Sequence, residues 1–247
     1  MEWQGTGVII SVRKHGESST IVDVLTESHG RHAGLVRGGA GRKLAPILQP
    51  GTQVDVEWRA RLEDHLGNYT IEPVKSRTTI LSDRLALSAM GSICALVNFA
   101  FPERLAMAQL YAVTVNLFDQ MAEGGAWLPD YALWEYAILE ELGYGLDLES
   151  CAATGVRQDL IYVSPKSGRA VSAISGADWA DRMLPLPRFL RAQTATKDAS
   201  EVLDALKTTG YFLAHRVAPA LGNRPLPDAR MRFLDVLTKA VKKGRKS

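Results

Sequence analysis

Cysteine is nearly absent from this chain of 247 residues: only Cys94 and Cys151 occur, far apart, so no disulfide framework is expected. Cys94 lies in an apolar helical run and reads as a small core residue. Long apolar stretches are also missing. The longest, such as "ICALVNFAF", are far too short to span a bilayer, and "MEWQGTGVII" lacks the basic-then-apolar pattern of a signal peptide. A cytoplasmic protein with no membrane partner is the expectation. Aromatic residues are sparse at 7%, which limits the stacking platforms available to any ligand. Hydrophobic content of 46% and charged content of 23% are ordinary and allow a well-packed core.

Acid is missing from one segment in particular. "GLVRGGAGRKLAPILQPG", Gly34 through Gly51, has five glycines, two prolines and three cations, Arg37, Arg42 and Lys43. A Walker loop needs Gly-Lys-Ser/Thr running into a helix, because the hydroxyl binds magnesium and the helix N-terminus faces phosphate. Here Lys43 follows Arg42 and precedes Leu44, and Pro46 and Pro50 disfavour a helix. The dinucleotide pattern fails as well, since Gly39 and Gly41 are followed by Leu44. Nucleotide hydrolysis is not expected.

Other constellations for catalysis are equally thin. The five histidines are His15, His29, His32, His65 and His215. His29 and His32 share a turn with only Glu27 beside them, which is too few ligands for a metal. "GESST" at Gly16–Thr20 lacks the closing glycine of a nucleophile elbow. Glu140 and Glu141 are adjacent on a helical pattern and point different ways, a poor general acid–base pair. No enzymatic activity and no cofactor are expected.

Charge is unevenly placed although its net is +2. Residues 83–150 carry two basic side chains against ten acidic, a net of −8. Residues 224–247 carry eight basic (Arg224, Arg230, Arg232, Lys239, Lys242, Lys243, Arg245 and Lys246) against two acidic, a net of +6. Such asymmetry points to a polyanionic partner; a solvated basic tail is the alternative. The acidic helices read as a solvated face or a docking face for a basic partner.

The first eighty residues read as strands. "GTGVIISVRK" and "STIVDVLTE" are rich in β-branched residues, "HAGLVRG" is shorter, and "TQVDVEWRAR" alternates with Val54, Val56 and Trp58 on one face. "YTIEPVKSR" follows, with Pro73 suggesting an edge or a bulge. Five short strands without an intervening helix fit a small barrel, the OB-fold being the commonest such module and an SH3-like barrel the competitor. From about Thr79, apolar residues recur at three- and four-residue spacing. Pro102 and Pro129 fall near predicted helix starts, and Gly124 and Gly143 near helix ends. "DLIYVSPKSGRAVS" reads as two strands around a turn, "LPLPRFLRA" breaks regularity, and helices return over Ala199–Val217 and Asp228–Lys243, with Asp228 a candidate N-cap. The expected architecture is α+β: a barrel at 1–80, then a mainly helical domain at 81–247 with a β insert at about 150–175.

A binding role remains. Arg31, Arg37, Arg42 and Lys43 cluster on the third strand and its loop, Arg13 and Lys14 end the first strand, and Arg59 and Arg61 end the fourth. OB-type barrels hold single strands in a cationic groove with aromatics for stacking. Trp58 shares the Val54–Val56 face and reads as core; Tyr69 and Trp3 are the other barrel aromatics. Backbone electrostatics should therefore dominate, with weak sequence preference. The Gly38–Lys43 loop is expected to be mobile, its glycines letting the backbone approach phosphates. Arg230, Arg232, Lys239, Lys242 and Lys243 form a second candidate surface, though cations near a helix end also suit its macrodipole. The rival reading is a protein-interaction adaptor that binds no DNA.

The order of features resembles the RecO family of bacterial recombination mediators. The likeness lies in Gly7-Val8-Ile9, Arg13, Glu17, Leu25-Thr26, Gly30, Arg37-Gly38 and Leu48-Gln49-Pro50, and resumes at "LWEYAILEELGYGLDLESCAATG", "YVSPKSGRAVS" and "FLAHRVAPALGNRPLPDARMRFL". It implies an N-terminal OB-fold, a helical C-terminal domain with a small zinc-finger-like insert, and no enzymatic activity. It further implies binding of single- and double-stranded DNA, strand annealing, and a complex with RecR that helps RecA displace single-strand binding protein (SSB). The acidic C-terminal tail of SSB is implied to dock on the helical domain, with the Arg230–Lys243 region a candidate pocket. One departure stands out: some relatives place four cysteines around the insert, whereas here Cys151 precedes Ala152, Ala153 and Thr154, and no cysteine follows Ser164. A single thiolate cannot build a tetrahedral site, so no zinc is expected, and the insert should be held by packing and hydrogen bonds around Tyr162 and Val163.

Overall fold

The computed structural model describes residues 1–192 and 198–244; Arg245 and Lys246, counted above in the basic segment, lie outside the described residues. The chain divides into two compact units, one of Met1–Gly125 with Pro227–Phe233, the other of Ala126–Leu226 with the residues from Leu234 onward.

In the first unit five strands, β1 (Glu2–His15), β2 (Ser19–Thr26), β3 (Gly30–Val36), β4 (Gln53–Arg59) and β5 (Asn68–Lys75), close a barrel in the order β1-β2-β3-β5-β4. The β3–β5 closure is parallel and made at a single pair, Leu35 and Asn68; every other contact in the barrel is antiparallel. Closure out of sequence order is the Greek-key arrangement of the OB-fold, which decides against the SH3-like competitor. The period-2 pattern of β4 puts Val54, Val56 and Trp58 into the core with Ile9, Val22, Val24, Tyr69 and Ile71. Strand β3 approaches β5 closely because Gly34 has no side chain: a Cβ there would lie 2.3 Å from the Tyr69 ring. Pairing slips between Gln53–Lys75 and Val54–Pro73, so Pro73, which has no N–H to donate, sits beside a bulge, where the ladder is already broken.

Strand β1 buries Val8, Ile9 and Ile10 in succession, a pattern that needs cover on both faces. Helix α1 (Arg84–Ala100) packs against it. Asp83 caps α1, its carboxylate accepting from the Leu85 and Ala86 N–H groups. Pro102 follows α1 and does not open α2 (Ala108–Ala122). Gly124, at φ +73°, ends α2: Gly124 N–H donates to Met121 O and Gly125 N–H to Gln120 O, the paired bonds of a Schellman cap. Arg77, with a side chain 1% exposed, pins α2 to the barrel. Its guanidinium donates to Asp119 Oδ1 (2.7 Å), Gly51 O (2.8 Å) and Gln53 Oε1 (3.1 Å).

The second unit begins with α3 (Leu128–Glu141), which has Pro129 in its first turn, where a missing N–H costs nothing, and a glycine cap at Gly143, φ +78°. Strands β6 (Leu160–Val163) and β7 (Ala170–Ser172) are the predicted pair. A third short strand, β8 (Leu184–Pro185), joins them in the order β7-β6-β8, out of a stretch too short and proline-rich to show a period. The remaining helices are α4 (Ala173–Gly176), α5 (Arg188–Ala192), α6 (Ala199–Phe212), a π-helical turn over Leu213–Val217, α7 (Ala218–Ala220) and α8 (Asp228–Gly244). Asp228 is the first residue of α8 and does not precede it as a cap. Helices α3 and α6 pack around a fully buried carboxylate, Glu135, which accepts from Tyr131 Oη (3.1 Å) and Thr209 Oγ1 (2.6 Å). No helix among the described residues is long and apolar enough to cross a membrane.

Candidate nucleic-acid interface

Strand register gathers cations that sequence order scatters. Arg13 pairs with Ile21, Ile21 with Leu35, Leu35 with Asn68, and Asn68 with Arg59, one continuous row across five strands. The next row places Lys14 beside Thr20 and Thr20 beside Val36, so Arg37 leaves β3 at the same end of the barrel. The loop that follows carries Arg42 and Lys43, and Arg61 lies just past β4. Because β3 and β5 touch at one pair, the wall there opens into a groove of about 610 Å³ lined by Arg37, Leu44, Arg59, Asn68, Tyr69 and Thr70 among others.

These cations differ in how far they are committed. Lys14, Arg37, Arg42, Lys43 and Arg61 are exposed and make no ion pair among the described residues. Arg59 is shared between Glu2 (3.3 Å) and Glu57. Arg13 reaches Asp23 at 3.5 Å. Arg31 is only 15% exposed and lies 3.6 Å from Asp23 and 3.3 Å from Glu103. It also donates to Asn98 Oδ1 and the Phe101 carbonyl, so it fastens β3 to the α1–α2 connection and is not available to a phosphate.

The glycine-rich segment is not an open cradle. Gly39 N–H donates to Val36 O, Ala40 N–H to Ser18 O, Gly41 N–H to Gly38 O, and both Leu44 and Ala45 N–H to Gly41 O. Successive turns thus use the amides of Gly39, Ala40, Gly41, Leu44 and Ala45, and Leu48 anchors the segment in the core. Gly38 supplies φ +70°, while Gly39 is small because a Cβ would meet Thr20 Oγ1 at 2.8 Å. The glycines thus build tight turns in this loop, and the exposed side chains of Arg37, Arg42 and Lys43 have no carboxylate partner among the described residues.

The barrel aromatics are occupied. Trp58 is buried with Nε1 donating to Leu66 O (2.9 Å), and Tyr69 is buried with Oη donating to His32 O (3.2 Å). Trp3 is sandwiched, 4.0 Å from the His29 ring and 6.2 Å from Trp58. His32 is packed edge-on against Trp58, and burial pulls its imidazole down to about 4, so it stays neutral near pH 7. Among the described residues, neither His29 nor His32 joins a group of three side chains that could hold a metal.

Arg104 is a residue that sequence reasoning missed. At φ +67° it turns its guanidinium onto the loop after β4, donating to the Glu63 and His65 carbonyls and lying 6.0 Å from the Trp58 ring centroid. It fixes the loop that carries Arg61. The only sequence signal was its being one of two basic residues, with Arg84, in the acidic region 83–150.

On α8, Arg232, Lys239, Lys242 and Lys243 are exposed along the helix, but Arg230 is 3% exposed and does not contribute to a surface. In the insert, Cys151 is buried; its Sγ accepts from Ser172 N–H at 3.4 Å. Burial alone would raise its thiol, yet hydrogen bonds from Thr154 and Ser172 outweigh it and bring the pKa below the ordinary value. No three His, Cys, Asp or Glu side chains gather as a metal site among the described residues, so the donor set does not fit a structural zinc. Hydrogen bonds hold the insert instead: Ser164 N–H to Arg169 O, Ala152 N–H to Ala170 O and the Asp147–Arg169 ion pair at 3.0 Å. Val163 is fully buried in it, and the Tyr162 ring lies against Gly176.

Two family models match the chain, "Recombination protein O N terminal" over residues 1–77 and "Recombination protein O C terminal" over residues 81–225. Among curated proteins it is similar to the DNA repair protein RecO of Ruegeria sp., 55% identical over 242 residues that cover 98% of this chain and 100% of the relative. The RecO of Dinoroseobacter shibae is likewise 55% identical, over 97% of this chain and 99% of its own. That of Roseobacter denitrificans is 54% identical over 98% and 100%.

Proposed function

Because the chain belongs to the RecO family of DNA repair proteins, we propose that it serves recombinational DNA repair as a non-enzymatic mediator that holds DNA by its phosphates at the barrel rim. The observation that supports this reading is the set of five exposed cations without an ion pair among the described residues, Lys14, Arg37, Arg42, Lys43 and Arg61, carried by the strand ends and loops at one end of the barrel, where Arg37 lines an open groove. With Trp58, Tyr69 and Trp3 occupied, base stacking contributes little in the barrel, and the grip is electrostatic and indifferent to sequence. Such a grip suits single and double strands alike and permits annealing, since the base edges stay free. In this proposal residues 1–80 bind DNA, while the helical residues 81–247 receive RecR and the SSB tail and so help RecA onto SSB-coated strands near the nucleoid. Compactness groups α1 and α2 with the barrel, so the barrel and these two helices act as one body.

Fluorescence anisotropy with labelled poly-dT across a salt series tests the proposal. Neutralising four to six phosphates gives a slope of log affinity against log salt of roughly −3 to −4. Replacing Arg37, Arg42 and Lys43 together with Gln flattens it by about 2. An unchanged slope would move the DNA path off the barrel. The adaptor reading has one observation in its favour, an acidic groove of about 460 Å³ on the barrel's outer surface lined by Asp55, Glu57 and Glu72. It predicts no binding to poly-dT at any salt.

A further inference from the structure

A second cationic depression lies within the other unit, far along the chain from the barrel residues. It holds about 340 Å³ and is lined by Tyr144, Leu146, Lys166, Ser167, Phe212 and Arg216, with two glycines and no carboxylate. Its polar side chains are two cations, Lys166 and Arg216, which only donate, and two hydroxyls, Tyr144 and Ser167, which can donate or accept. Lys166 and Arg216 make no ion pair among the described residues; of the nearby acids, Asp147 is taken by Arg169 at 3.0 Å, and Glu140, which lies against Gly145, bonds with Tyr136. Ser167 Oγ accepts from Arg169 N–H, and its own O–H can still donate to another acceptor. Leu146 and Phe212 are buried beneath and supply an apolar floor.

The pocket is also built, not merely charged. Ser164–Gly168 is a hydrogen-bonded turn, with Gly168 N–H donating to Ser164 O (2.8 Å) and Gly168 at φ +72°. Arg216 stands in the π-helical turn Leu213–Val217, a widened turn that often marks a functional site. Its Nη2 donates to the Lys166 carbonyl at 2.5 Å, so the guanidinium is oriented while its other N–H groups remain available. In the same turn His215 stacks on Tyr211 at 4.1 Å.

We propose that this pocket binds a phosphate group, and that its source is the backbone of nucleic acid. Two like charges held beside one small cavity repel each other unless an anion joins them. A lining without a carboxylate that offers one planar fork, one ammonium and two hydroxyls suits the oxygens of a phosphodiester. The apolar floor suits the adjoining sugar. This inference rests on the DNA-binding reading above and adds to it a site outside the barrel.

The test uses the full chain, wild type and three variants: Lys166→Gln, Lys166→Gln with Arg216→Gln, and the barrel variant with Arg37, Arg42 and Lys43 replaced. Salt slopes on poly-dT are paired with amide shifts of Ser167 and Gly168 on adding inorganic phosphate or a short oligonucleotide. The expected result is a slope reduced by about 0.7 in the single and 1.4 in the double variant, with oligonucleotide shifts at both amides in the wild type. Phosphate-induced shifts with unaltered DNA slopes would assign the pocket to a free phosphate and overturn the nucleic-acid source. Unaltered slopes with silent amides would overturn the site altogether, while the barrel variant's loss of slope left the earlier reading standing. A wild type that ignores DNA would remove both readings. The single variant keeps the Arg216–Lys166 carbonyl bond, so a fold lost only in the double variant does not blur the outcome.

Discussion

Arg31 lies on β3 and Arg37 just past its end, yet the fold gives them opposite tasks. Arg31 is drawn into Asp23, Glu103, Asn98 and the Phe101 carbonyl; Arg37 stays exposed beside the groove. Replacing Arg31 with Ala leaves the buried Asp23 carboxylate to Arg13 alone and removes the ties to Glu103, Asn98 and the Phe101 carbonyl, and the urea midpoint should fall by an amount equivalent to about 1–3 kcal/mol. Arg37→Gln should change stability by under about 0.5 kcal/mol while reducing the salt slope by about 0.7. The two effects separate anchoring from binding. Counting cations along the chain could not make that separation, because a guanidinium's role depends on which carboxylate the neighbouring strand brings to it. Asp23 and Glu103 are eighty positions apart only in sequence.

At the level of elements, the joint between β5 and α2 is an ionic one. Partial burial pushes the Asp119 carboxyl upward, but hydrogen bonds from Arg77 and Lys75 more than offset it, and its pKa falls below the ordinary carboxylate value. A depressed folded pKa gives stability that is present above the unfolded value of about 3.9 and lost as pH drops through the folded one. The gap in urea midpoint between the wild type and Asp119→Asn should therefore be full at pH 6 and close progressively below pH 4. The β insert makes a contrasting case. Since Cys151 Sγ serves as a hydrogen-bond acceptor for Ser172 N–H, Cys151→Ser keeps that bond and should cost less than about 1.5 kcal/mol. Elemental analysis of the purified protein should find no stoichiometric zinc; a metal-held insert would instead unfold on this substitution or on chelation. Legibility followed periodicity here: β4 and α1 were plain in the alternating and 3.6-residue patterns, whereas β8 at Leu184–Pro185 has too few residues for any period to appear.

For the whole molecule, the distribution of charge makes two further predictions. Binding that is electrostatic should show nearly equal affinity for poly-dT and mixed-sequence strands of one length at one salt concentration, measured by competition. Truncation after Val241 removes Lys242, Lys243, Arg245 and Lys246 and should abolish binding of an acidic SSB-tail peptide while leaving the barrel's salt slope intact; an unchanged peptide affinity would return this end of the chain to a solvated role. Arg230, buried near the start of the same helix, belongs to neither effect.

From the sequence alone came the five-strand barrel, the helices after residue 80, the core placement of Trp58, the lack of a four-cysteine set and the likeness to one family. Each follows from local periodicity, backbone chemistry or residue identity, which are written in neighbouring positions. Only the tertiary structure decided the out-of-order β3–β5 closure, the alignment of Arg13 and Arg59 in one row, the retirement of Arg31 and Arg230 from the surface, and the tightening of the glycine-rich loop. Those depend on which distant residues meet across strands and helices, and burial and pairing are properties of that meeting.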